Sequence, residues 1–150
     1  LHSFPTRRSS DLAGHSHKHF KQAEHGYMNR LNVVQNYSAV TAACLAVRKV
    51  VFDEVKGFNE KHLAVAFNDV DLCLKVQAKG YRNLWTPYAE MIHHESSSRG
   101  SEDTPEKKIR EAKEIAYMQS TWHLETTVDP AYSPWLTPEK EDFSFIIEKK

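Results

Sequence analysis

Four groups of residues have the types and spacing that chemistry uses. Asp69 and Asp71 alternate around Val70 directly after Asn68. Asn68 suits a helix N-cap, which puts both carboxylates in the first turn of a helix running to Lys79. The positive helix end, worth about 0.3–1 kcal/mol, favours an ionised carboxylate there. Such a group, fixed on a rigid element, can accept a proton; the plainer reading is that both acids only complement the helix dipole. His93 and His94 close a strand-like stretch. Neighbours on a strand face opposite ways, so one of them at most serves a given site, and a satisfied surface or core histidine is the plainer reading. Ser98 and Arg99 sit in the polar loop Glu95 to Asp103, where an arginine can grip paired oxygens or simply be solvated. His15, His17 and His19 alternate, with His25 nearby. An extended segment would place the three on one face, able to bind zinc or nickel, although a loop bordering a site or an inert loop explains them as well.

These residues need elements to position them. Leu31 to Tyr37 is ambiguous, and Ser38 to Val47 reads as a buried strand of small and β-branched residues. Val51, Phe52 and Val55 have helical spacing within Arg48 to Val55, and Lys56-Gly57 ends that helix. Phe58 to Phe67 is a loop. The Asn68 helix carries an apolar stripe at Val70, Cys73 and Leu74 and stops at Gly80. Two short strands, Tyr81 to Thr86 and Ala89 to His93, flank Pro87. Thr104-Pro105-Glu106 opens a long helix with a cap followed by proline at the first position. Its expected buried face is Ile109, Ala112 and Ala116 with Ile115, Met118 and Trp122. Pro130, Pro134 and Pro138 predict an extended tail lying on the surface. The order is mixed α/β, too short for a complete doubly wound domain.

The totals bound the rest. In 150 residues, 40% are hydrophobic and 27% charged, enough for one core under a polar surface. Twenty basic residues balance twenty acidic ones, which gives nucleic acid no electrostatic footprint. The longest apolar run, Ala42 to Val47, is far short of a membrane span. A cytoplasmic protein is the expectation, with peripheral attachment at the inner face of a membrane allowed. Cys44 and Cys73 each lie in apolar surroundings and read as buried free thiols. Residues 1–12 have no usable periodicity, resemble translated adapter sequence, and are set aside as a non-native scar.

Several motifs then occur in order. They are Gly57-Phe58-Asn59-Glu60, Asn68-Asp69-Val70-Asp71-Leu72-Cys73-Leu74-Lys75, Gly80-Tyr81-Arg82, Thr86-Pro87-Tyr88, and His93-His94-Glu95-Ser96-Ser97-Ser98-Arg99-Gly100. Over most of Asn36 to Gly100 the chain resembles the second half of the family 2 glycosyltransferases, whose fold is GT-A. Ala13 to Phe20 and the tail through Phe143 resemble members that build bacterial cell-surface polysaccharide such as O-antigen.

The resemblance implies an inverting enzyme that moves a hexosyl or deoxyhexosyl group from a nucleotide-sugar donor to a saccharide acceptor. It implies Asp69 as general base, with Asp71, Asn68 and Trp85 supporting the acceptor or the loop. Ser98 and Arg99 would bind the donor phosphates. His93 would ligate a divalent metal, Mg or Mn, held mainly by an acidic D-x-D motif that the sequence before Asn68 lacks. Trp85, Tyr88 and Trp122 can stack on sugar rings, although core packing is the commoner use of aromatics so spaced. The expected organisation is therefore 1–12 scar, 13–128 the acceptor and catalytic-base side of an incomplete GT-A (Rossmann-like) α/β domain, and 129–150 an extended tail. Alone, such a chain is expected to be inactive and poorly soluble. Two other readings stand: a non-catalytic carbohydrate-binding or scaffold module of the same fold, and a metal-binding domain built on the histidine-rich start.

Overall fold

The computed structural model describes residues 12–15, 17, 20–21, 23–91, 104–124, 129–137 and 143–146, and the backbone alone at 2–3 and 15. Around the helix α2 (Asn68–Ala78) stand α1 (Lys49–Glu54) and α3 (Pro105–Trp122). Two antiparallel strand pairs complete the fold: β1 (His2–Ser3) with β2 (Gly14–His15), and β3 (Gln35–Tyr37) with β4 (Asn83–Trp85). Short 3-10 turns occupy Tyr27–Asn32 and Ala42–Cys44. Mixed helix with a small two-stranded sheet is compatible with the α/β class.

α2 is central because three of its sides find partners. Val70 and Cys73 join Leu12, Tyr37, Ala39, Val40, Leu63, Met118 and Leu124 in the main core. Leu72 and Val76 pack on Val51 and Val55 of α1 in a second cluster. In the β3–β4 pair Tyr37 faces Asn83 on the buried side while Leu84, opposite Asn36, is exposed. The Asn83 amide donates to the carbonyls of Ser38 and Cys73, which joins sheet to helix. Leu12, from the stretch set aside on sequence, is part of the core.

Several expected elements take another form. The strand expected over Ser38 to Val47 does not form; the strand β3 lies just before it, in the stretch that read as ambiguous. Thr41 caps a 3-10 turn by accepting the Ala43 N–H, and the Ala42 N–H goes to Asp69 instead of a ladder. Cys44 is consequently exposed, and only Cys73 is a buried thiol. Asn68 is the first helical residue, not the cap. The cap position is Phe67, in the left-handed region at φ 60°, with no side-chain cap bond. At the end of α1, Lys56 (φ 62°) turns left-handed together with Gly57 (φ 59°). A Cβ on Gly57 would meet the Phe52 ring at 2.8 Å, so glycine is required there for space as well as for its backbone.

No strand forms over 89–91, because Thr86 accepts the Tyr88 N–H and turns the chain at Pro87. Residues 92 and 93 lie outside the described residues. Thr104 caps α3 as expected, accepting the Lys107 N–H. The inner face of α3, however, is Glu114, Ile115, Met118 and Trp122. Ile109, at 58% exposure, lies with Ala112 and Ala116 on the outer side. Two apolar stripes competed on this helix, and the one carrying partners for the loop beneath it won. The described part of the last segment also folds back. Leu136 bridges Phe145, and the Thr137 N–H reaches the Ser144 carbonyl at 2.8 Å. Phe143 is buried against Tyr27 (5.0 Å, stacked) and His17 (4.8 Å). In its described parts, 129–137 and 143–146, this segment thus docks on the fold, with Phe143 held by aromatic packing.

Candidate functional site

Asp69 stands in the first turn of α2 and is half-buried. Its Oδ1 accepts the Val70 N–H at 2.9 Å, and its Oδ2 accepts the Ala42 N–H at 3.1 Å. The second bond spans from the helix to the turn that ends the β3 segment. The carboxylate is thereby held at both ends. Both oxygens of the carboxylate thus accept a backbone N–H, one from its own helix and one from a separate turn.

Asp71 has a different environment. It is 2% exposed; Oδ1 accepts the Trp122 indole N–H at 3.0 Å, and Oδ2 lies 3.0 Å from Lys75 Nζ. Lys75 Nζ also donates to the Gly57 carbonyl, which ties α2 to the turn before the loop. Asp71 therefore fastens α2 to α3. Asn68 donates its side-chain N–H to the Val65 carbonyl at 3.5 Å and steadies the same loop.

That loop is fixed from α3. Tyr117 accepts the Asn59 amide N–H at 2.7 Å and stacks on His62 at 4.6 Å. Glu114, also 2% exposed, accepts the N–H groups of Val65 (3.1 Å) and Ala66 (3.0 Å), one on each oxygen. Hydrogen bonds to a charged group contribute about 1.5–3 kcal/mol. They act next to Phe67, whose left-handed backbone costs on the order of 1–2 kcal/mol. Glu114 escaped the reading of the sequence. Its one signal was its spacing of four from Met118, which sets it on the buried arc.

Trp85 is half-buried against the main core and lines an open cleft of about 950 Å³ with His17, Phe20, Glu24, Tyr88 and Met91. A second cavity of about 590 Å³ is bordered by Arg30, Tyr37, Gln77, Arg82 and Asn83. Asp69 lines neither of these two cavities; Asn68, Asp69 and Asp71 stand together at the start of α2. His93, Ser98 and Arg99 lie outside the described residues. Among the described residues no three His, Cys, Asp or Glu side chains come together as a metal site. Of the alternating histidines, only the His17 side chain is described. It sits at φ 60°, which breaks the extended alternation, and its Nε2 accepts the Tyr27 N–H at 3.1 Å. Burial first, then the Arg30 charge, lowers its pKa to about 4. No helix among the described residues is long and apolar enough to cross a membrane.

Known proteins add a second line of observation. The chain is 54% identical over 132 residues to uncharacterized protein y4gI of Sinorhizobium fredii, covering 88% of this chain and 14% of that protein. It is 36% identical over 103 residues to O-antigen biosynthesis protein RfbC of Myxococcus xanthus, covering 69% of this chain and 8% of that protein. Over 61 residues it is 34% identical to the N-acetylglucosaminyl-diphospho-decaprenol L-rhamnosyltransferase of Mycobacterium tuberculosis, covering 41% of this chain and 20% of that enzyme. The chain thus spans a fifth or less of each of these relatives. No family model matches, and no solved structure matches. The likenesses support a glycosyltransferase relationship linked to polysaccharide synthesis and single out no member.

Proposed function

We propose that the chain is the acceptor and catalytic-base side of an inverting family 2 glycosyltransferase of GT-A fold, with Asp69 as general base. One observation carries this reading. Asp69 is a half-exposed carboxylate pinned from a separate element by the Ala42 N–H, whereas Asp71 beside it is buried and fully engaged in packing. Of the two acids, only Asp69 combines fixed geometry with access. Two of the relatives are named for O-antigen biosynthesis and for L-rhamnosyl transfer, which supports hexosyl or deoxyhexosyl transfer in cell-surface polysaccharide synthesis as the reading for this chain.

The reaction would proceed by direct displacement. An acceptor hydroxyl gives its proton to Asp69 as its oxygen bonds the anomeric carbon of the donor sugar. The bond from that carbon to the nucleoside diphosphate breaks, and the diphosphate leaves with the electron pair. Asp71 and Asn68 hold the helix start that carries Asp69. Ser98 and Arg99 are the residues proposed for the donor phosphates. The divalent metal and its proposed ligand His93 rest on the family resemblance alone, since the described residues assemble no metal site.

Asp69→Asn tests the reading, because asparagine keeps one acceptor oxygen, for either the Ala42 or the Val70 N–H, but cannot act as a base. In the longer protein that carries this chain, release of nucleoside diphosphate from UDP- and dTDP-sugars should fall about 10²–10⁴-fold. Near-UV circular dichroism should be unchanged. Turnover that survives the substitution refutes the assignment. Saccharide binding without any turnover in either form would favour a non-catalytic carbohydrate-binding module.

A further inference from the structure

We infer that Glu114 is the positioning residue for Asp69, acting from α3 through the loop before α2. The inference rests on the reading of Asp69 as the base. Glu114 is a buried carboxylate whose two oxygens each take one backbone N–H, from consecutive residues Val65 and Ala66. Few arrangements fix a loop more tightly, because two adjacent peptide planes are set at once by one side chain. The next residue, Phe67, holds a left-handed backbone without help from a side-chain cap, and its carbonyl accepts the Asp71 N–H at 2.9 Å to start the helix. Asp69 lies inside that first turn, and its Oδ2 reaches the Ala42 N–H at 3.1 Å. Release of Val65 and Ala66 lets Phe67 relax towards a commoner conformation, which rotates the first turn and moves Asp69 away from Ala42. The side chains around Glu114 agree with this single task. Arg110 Nε is 3.9 Å away, too far to satisfy the carboxylate, so the loop amides are its principal partners.

Amide hydrogen exchange, followed residue by residue in this chain by NMR, tests the relay without needing activity. Glu114→Gln keeps the shape and one oxygen but presents an amide N–H to a backbone N–H. Exchange at Val65, Ala66 and Ala42 should rise at least tenfold more than at Val76 and Ala78 in the second half of α2. Val51→Ala, in the cluster that α1 shares with α2 and that includes no residue of the 58–67 loop, should raise exchange at all five positions alike. An equal rise at the five positions in Glu114→Gln, or an unmoved Ala42, overturns the proposal. If Glu114→Gln does not fold, the wild-type chain decides in low denaturant. Val65, Ala66 and Ala42 must then exchange through one shared opening, and separate openings overturn the relay.

Activity of the longer protein adds an independent readout: kcat falls about 10–100-fold in Glu114→Gln while KM for the nucleotide sugar holds. The failure modes are separable. Unaffected turnover in Asp69→Asn removes the base and leaves the exchange result standing, whereas an unmoved Ala42 removes the relay and leaves the base.

Discussion

The indole N–H of Trp122 donates to the Asp71 carboxylate at 3.0 Å, across 51 positions of chain. It joins the last turn of α3 to the first turn of α2, and it explains why an acid inside the family-like motif can be 2% exposed. Lys75 at 3.0 Å shares the charge, so the carboxylate is paired on both oxygens. Burial of an ionised group without such pairing would cost several kcal/mol.

Trp122→Phe keeps an aromatic side chain against the core but removes the indole N–H together with part of the ring volume. The Asp71 oxygen then lacks that bond, and stability should fall by about 1–3 kcal/mol. Asp71→Ala should cost more, about 3 kcal/mol, since it also leaves the half-buried Lys75 with the Gly57 carbonyl but no counter-charge. Urea unfolding with an unchanged slope and a lower midpoint is the expected signature. Equal midpoints for wild type and Trp122→Phe would show that the bond contributes nothing.

His17 should make the fold sensitive to mild acid. Its pKa is lowered from 6.5 to about 4, by burial above all and by Arg30 second. The unfolded chain therefore binds a proton that the folded chain refuses in that interval. The stabilisation is fully present above pH 6.5 and is lost as the pH falls through about 4, on the order of 2 kcal/mol in all. Unfolding midpoints measured from pH 7 to pH 4 should fall, and His17→Gln should flatten the profile. A variant that keeps the same slope would assign the effect to other groups.

The two thiols should react very differently. Cys44 is exposed on the turn that Thr41 caps, while Cys73 is buried with its pKa raised to about 11, chiefly by burial. At neutral pH, iodoacetamide should label Cys44 alone in the native protein and both residues in denaturant, as read by mass spectrometry. Native labelling of Cys73 would mean that the main core opens readily.

Local chemistry made much of the frame legible. The helix α3 begins where Thr104-Pro105 supplies both a cap and a pre-set backbone angle, and α1 ends at the glycine it needs. The motif Asn68 to Lys75 forms a helix with both acids in its first turn, as its spacing required. Ser38 to Val47 was misread because β-branched and small residues fit a strand, and the sequence holds no sign that Asp69 would take the Ala42 N–H. The stripe of α3 was misread for a related reason. Helical period allowed Ile109, Ala112 and Ala116 as well as Ile115, Met118 and Trp122, and a buried Glu114 looks like a surface acid until its partners are known. The segment 129–150 read as an extended surface tail because its prolines disfavour regular structure. Proline says nothing about whether an aromatic beyond it will find Tyr27 and His17.

By itself, then, the sequence determined which residues could do chemistry and which local elements would carry them, since caps, periods and turn residues act over a few positions. The tertiary structure decided what each acid touches. Asp69, Asp71 and Glu114 are all carboxylates on helices. Their roles part only when the chain brings Ala42 to the first, Trp122 and Lys75 to the second, and the Val65 and Ala66 amides to the third. Burial and partnering depend on residues tens of positions away, and no spacing rule along one element encodes them.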